Sequence, residues 1–145
     1  MERQSHTETV QATLQRCFET VVDFERYPDW FSGLEKADII ESDPDKGLWT
    51  VRYSLNMIIR TLSYTLSYSS TAPGQLQWTL LEGDVNDIEG SYDFVELEPG
   101  LTEATCRQGI DIGFWIPGLV KRGFEATALI ASVKEFKAAA ESTPA

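Results

Sequence analysis

Trp49-Thr50-Val51-Arg52-Tyr53-Ser54-Leu55-Asn56-Met57 puts a large apolar side chain at every second position and a polar one between. Leu62-Ser63-Tyr64-Thr65-Leu66-Ser67-Tyr68-Ser69 repeats the pattern. A period of two belongs to a strand with one face buried and the other in water. Three more rows follow: Leu76, Trp78, Leu80; then Ile88, Gly90, Tyr92, Phe94; then Ala104, Cys106, Gln108, Ile110, Ile112. Between most of them stand turn formers, at Asp43-Pro44-Asp45-Lys46-Gly47, Ala72-Pro73-Gly74, Gly83-Asp84 and Glu98-Pro99-Gly100. Consecutive strands on short turns predict an antiparallel meander with one wet face.

Outside the meander the period changes. Residues 4–11 suit a first strand, and Thr13–Val22 carries Leu14, Cys17, Phe18 and Val21 at helical spacing. Pro28 disfavours helix at Tyr27 and suits the first turn of a new one, while Gly33 suits its end. A second short helix is therefore expected, anchored by Tyr27, Trp30 and Phe31. From Pro117 to Glu141 the spacing of Leu119, Gly123, Ala126, Ile130, Val133, Phe136 and Ala140 predicts a helix of roughly 37 Å. The expected class is α+β, with a curved antiparallel sheet of six to seven strands wrapped around the long C-terminal helix. Residues 1–141 read as a single domain and 142–145 as a frayed tail.

The 145 residues carry a net charge of −11, with 42% hydrophobic and 24% charged residues. By size scaling about two-thirds of the unfolded surface can be buried, enough for a core without disulfides or metals. An acidic surface repels phosphate backbones and anionic headgroups, so nucleic acid is not an expected partner and membrane contact is at most transient. The polar start MERQSHTETV reads as no signal peptide and no apolar run reaches a membrane span, so the cytoplasm is the expected compartment. Two cysteines without CxxC spacing and one histidine leave little for a metal site. No metal and no cofactor are expected.

The inner rows hold bulky groups: Trp49, Tyr53, Tyr64, Tyr68, Trp78, Tyr92 and Phe94. Opposite them the first turns of the long helix hold Gly118, Gly123, Ala126, Thr127 and Ala128. Bulky against small means either tight packing or a cavity. Each buried tyrosine hydroxyl needs a partner, and so does Gln108, the one amide on its apolar row. Either a tyrosine satisfies Gln108, or Gln108 faces a pocket. Asp87, Glu89 and Asp93 read as solvated charges, Cys106 as a small buried hydrophobe. Glu82 and Asp84 are the weaker candidates for an acid or base. The connections Met57-Ile58-Ile59-Arg60-Thr61 and Gly113-Phe114-Trp115-Ile116-Pro117-Gly118 are unusually apolar for loops. They fit a lid, a dimer contact or a membrane-touching rim, in that order.

One strand, two short helices, six strands and a long C-terminal helix is an order similar to the helix-grip fold of the START-related superfamily. Asp23-Phe24-Glu25-Arg26-Tyr27-Pro28-Asp29-Trp30 resembles the D-x-x-x-Y-P-x-W signature of its polyketide cyclase/dehydrase and coenzyme Q-binding branch. Trp78–Asp84 followed by Glu89–Phe94 resembles that branch's paired middle strands. The resemblance covers nearly the whole chain. It implies that a hydrophobic small molecule (lipid, quinone or polyketide) is held between sheet and helix, and that the two apolar loops and Gly83–Asn86 surround the entrance. The expected lining is Tyr53, Leu55, Tyr64, Trp78, Tyr92, Gln108, Gly123 and Thr127. The expected portal is Ile58, Ile59, Arg60, Phe114 and Trp115.

Two functions follow. The first is a binding module, monomeric or homodimeric, that sequesters or carries such a molecule. The alternative is a cyclase or aromatase working in the same cavity. The lone histidine, His6, sits on the first strand, which is expected to lie away from Gln108 and the tyrosines. The sequence therefore predicts no acid–base pair within hydrogen-bonding reach in the pocket, no catalytic residue, and binding nearly independent of pH between about 6 and 9.

Overall fold

A computed structural model describes residues 3–57, 60–113 and 118–142, with 118–126 described by backbone alone. The chain runs through β1 (Arg3–Val10), α1 (Leu14–Val21), a 3-10 turn (Phe24–Arg26), α2 (Tyr27–Trp30) and β2 (Leu34–Asp43). There follow β3 (Leu48–Asn56), β4 (Thr61–Thr71), β5 (Gln75–Gly83), β6 (Asp87–Glu98), β7 (Leu101–Asp111) and α3 (Gly118–Glu141). The seven strands form one antiparallel sheet in the order β1-β7-β6-β5-β4-β3-β2. The segment α1–α2 carries the chain from one sheet edge to the other, and α3 lies along β1 and β7 on the concave side.

The alternating rows become strands as their period requires. β2 is not among those rows, and its two register breaks, between Leu34 and Lys36 and between Ile39 and Glu41, are the reason. Each inserts a residue and shifts the buried set by one, so no strict period of two survives. Thr13 caps α1 by accepting from the Arg16 N–H at 3.0 Å. The Arg16 guanidinium in turn donates to the carbonyls of Ala139 and Ala140 near the end of α3, a placement favoured by the negative end of the helix.

The core is densest at one end of the sheet. Phe136 of α3 is fully buried and its ring lies 5.0 Å from Tyr92, 5.6 Å from Phe94 and 6.2 Å from Trp30. Phe24, also fully buried, lies 4.4 Å from Tyr68 and 5.5 Å from both Trp49 and Tyr27. Thus Tyr27 and Trp30, expected as anchors, join the 3-10 turn and α2 to this cluster. The Tyr27 hydroxyl donates to the Val21 carbonyl, fastening α2 back onto α1.

Candidate functional site

Three strand connections meet at the other end of the sheet. Met57 N–H donates to the Arg60 carbonyl at 2.9 Å, closing the β3–β4 hairpin. Asp84 N–H donates to the Ser63 carbonyl, and the Asp84 carboxylate accepts from Ser63 N–H, both at 2.8 Å. Asn86 N–H donates to the Asp111 carbonyl at 2.8 Å. Gly83, at φ +152°, allows this latch, since a Cβ there would fall 2.6 Å from Tyr64 Cα. Asp84 is thereby committed to the loop and Glu82 is exposed on the sheet, so neither turns inward on a tyrosine. Arg60 is exposed beside this end, while Ile58, Ile59, Phe114 and Trp115 lie outside the described residues.

Exposure along the concave face is uneven. Trp49, Tyr68, Leu76, Phe94, Ala104 and Val10 are buried at the Phe136 end. Toward the loops the inward positions are mixed: Leu62 and Ile88 are buried, whereas Leu55, Met57, Tyr64, Leu80, Gln108 and Ile110 are half-buried. Tyr53, Trp78 and Tyr92 are buried on the same face, between the two zones. Gly123 falls in the part of α3 described by backbone alone. Thr127 is exposed, although the sequence expectation set it among the lining residues. Its helical position turns it away from the buried row Leu129, Val133, Phe136 and Ala140.

The tyrosines divide by partner. Tyr53 and Tyr68 share a hydrogen bond between hydroxyls at 2.6 Å. Tyr92 stands directly across from Cys106 on the neighbouring strand. Burial raises the pKa of all three phenols, and it pushes the Cys106 thiol up to about 12. Cys106 is accordingly a neutral buried thiol, as its row suggests. Tyr64 is also raised by burial, yet it stays half-buried and has no hydrogen-bond partner among the described residues.

Gln108 is held by an indole rather than by a tyrosine. Trp78 on β5 and Gln108 on β7 are separated by β6, where Gly90 pairs with both. The indole lies flat over Gly90 and Trp78 Nε1 donates to Gln108 Oε1 at 3.3 Å. A Cβ at position 90 would lie 2.5 Å from the indole ring. Because an indole N–H only donates, it fixes the carboxamide with its oxygen toward Trp78 and its NH2 turned away. Among the described residues that NH2 has no partner. The sequence signal for this bridge was Gly90 itself, the one residue without a side chain in an inward row. Gly90→Ala should displace the ring, break the bond and cost about 1–3 kcal/mol. Urea unfolding checks this, and an unchanged midpoint with an unchanged indole N–H resonance would refute the bridge.

The histidine corrects a sequence expectation. β1 pairs with β7 so that Gln4 faces Gln108, His6 faces Cys106 and Val10 faces Thr102. His6 therefore lies on the concave face, one diagonal from Gln108, rather than apart from it. Its Nε2 lies 2.5 Å from Glu8 Oε2, the two side chains being 24% and 21% exposed. An acid–base pair thus stands on the inward face. It was not legible because the sequence does not reveal that the first and last strands are neighbours.

On the convex face Asp93 pairs with Arg107 at 2.9 Å and Glu89 with Arg3 at 2.7 Å, so these charges are paired on the wet side. Away from the sheet, a groove of about 810 Å³ runs between α1, α2 and the end of α3, past Arg16, Asp23, Arg26, Trp30 and Glu135. Six of its eleven lining residues are charged, Arg16 is already committed to α3, and Asp23 pairs with Arg26 at 3.4 Å. No cluster of metal-ligating side chains occurs among the described residues, and no described helix is long and apolar enough to cross a membrane.

Solved structures of the same shape include a START superfamily protein from Mycobacterium smegmatis, with TM-score 0.86 and 21% identity over 96% of this chain and 97% of that one. The Zhui aromatase/cyclase from Streptomyces sp. R1128 gives 0.82 and 20% over 97% and 93%. A protein from Thermus thermophilus gives 0.80 and 13% over 97% and 94%. At these identities the likeness is one of fold. No curated protein matches in sequence. The family model described as polyketide cyclase / dehydrase and lipid transport matches residues 10–137. With its seven-stranded sheet, its short helices after β1 and its C-terminal helix, the chain belongs to that START-related, helix-grip family.

Proposed function

We propose that this protein binds a hydrophobic small molecule between the loop end of the concave sheet face and the first half of α3, and that it carries or sequesters it. The observation that carries this reading is the half-buried inward row Leu55, Met57, Tyr64, Leu80, Gln108 and Ile110. That apolar wall bears two polar groups without protein partners among the described residues, the Tyr64 hydroxyl and the Gln108 NH2. Such a wall suits a largely apolar ligand with one or two oxygens, bound in the usual ~300–1,000 Å³ of a small-molecule site. Tyr53, Trp78 and Tyr92 back it, with Gly123 on the helix side, and residues 1–141 act as one binding unit. Ile58, Ile59, Arg60, Phe114 and Trp115 are proposed as its portal, touching membranes at most transiently. The unit works as a monomer or homodimer in the cytoplasm.

Native mass spectrometry of gently purified protein tests this. We expect an added mass of a few hundred daltons that denaturation releases as a lipid, quinone or polyketide-like molecule. A protein that stays at its chain mass after incubation with such molecules would refute the reading. One observation favours a cyclase instead: the inward-facing pair His6–Glu8, on a fold shared with an aromatase/cyclase.

A further inference from the structure

His6 and Glu8 share the inward parity of β1 with Gln4 and Val10, against a helix that packs along the same strand. A carboxylate cannot donate, so Glu8 Oε2 accepts a hydrogen bond from the His6 Nε2–H, and this selects the tautomer with a lone pair on Nδ1. Among the described residues the ring makes no other hydrogen bond. Across the ladder stands Cys106, a neutral buried thiol. On the diagonal, about 7–8 Å away between Cβ atoms, stands Gln108. Its oxygen is occupied by Trp78, so it offers donors. The strip thus presents one oriented acceptor, Nδ1, and one oriented donor, the Gln108 NH2, within the span of a small ring system.

We infer that His6, oriented by Glu8, is a recognition site for a neutral hydroxyl donor, a phenol or enol, whose O–H donates to Nδ1 and whose oxygen or a neighbouring carbonyl accepts from Gln108. This rests on the proposed binding of an apolar molecule and names the polar group that molecule carries. An anionic headgroup is disfavoured, because Glu8 already neutralises any charge on the imidazole and the chain carries −11 overall. Proton transfer is not required. The hydroxyl keeps its proton, shared with Nδ1, while the Nε2 proton stays shared with Glu8.

The test compares 2-naphthol with 2-methoxynaphthalene, followed by fluorescence at pH 8 with the whole chain. The ether is the more hydrophobic probe and lacks only the O–H, so burial alone favours it. We expect the wild type to bind the naphthol about tenfold more tightly, a ratio worth about 1.4 kcal/mol. His6→Leu should bring the ratio to one or below with ether affinity within twofold. Glu8→Gln, whose amide no longer selects the tautomer, should reduce it at least threefold while leaving the ring in place. Equal binding of both probes by the wild type, or a tenfold preference surviving in both variants, overturns the inference and leaves the binding reading standing. Failure of both probes to bind the wild type overturns both.

Discussion

Raising the pH above about 10 should unfold this protein in one steep step instead of titrating its tyrosines one by one. All five tyrosines of the chain have pKa values raised by burial. In the unfolded chain each phenol loses its proton near pH 10. Between that value and the higher folded one, the unfolded chain binds fewer protons, so stability falls as pH rises. The contribution is fully present below pH 10 and declines above it. Each tyrosine costs about 1.4 kcal/mol per pH unit, and five acting together cost roughly 7. Against a total stability of about 5–15 kcal/mol, that removes the fold within about one to two units. Phenolate absorbance at 295 nm and near-UV circular dichroism should change together. Five phenols ionising near pH 10 in a protein that keeps its near-UV signal would contradict the buried tyrosine rows.

Phe136→Ala should be the most damaging single truncation in α3. The ring is fully buried and meets Trp30 of α2 and both Tyr92 and Phe94 of β6. It is therefore the joint between the sheet, the long helix and the short helical segment. Removing a buried phenylalanine costs about 3–5 kcal/mol through lost burial and the cavity left behind. For a chain of this size the melting temperature should fall by about 10–20 °C. Ile130, one of the exposed large apolar residues on the same helix, is the control, and Ile130→Ala should cost no more than about 0.5 kcal/mol. Similar losses for the two variants would mean that α3 does not pack through Phe136.

How much was legible depended on whether the information was local. The rows at Trp49–Met57 and Leu62–Ser69 follow from a period of two, which backbone geometry imposes on any half-buried strand. Tyr27, Trp30 and Phe31 could be read as anchors from the helix break at Pro28, and Phe136 as one member of the long helix's apolar spacing. β2 escaped because bulges destroy the period. Two features of the site escaped because they depend on pairing across the sheet. The Trp78–Gln108 bridge needs β6 between β5 and β7 with Gly90 at the crossing. The approach of His6 to Gln108 needs β1 beside β7, a contact more than a hundred residues apart in sequence. The requirement that buried tyrosines find partners did point to the right residues. It did not separate Tyr53 and Tyr68, which satisfy each other, from Tyr64, which does not.

The proposed occupation of the loop end of the concave face by an apolar molecule can be followed in solution. Methyl NMR of the whole chain, with Ala, Leu, Ile and Val labelled and 2-methoxynaphthalene added, tests it most directly. We expect saturable shifts at Leu55, Leu80 and Ile110, with Val10, Val51 and Val133 in the buried core unmoved. Shifts confined to Ala138 and Ala139 in the charged groove beside α1, or no saturable shift at any of these methyls, would contradict it.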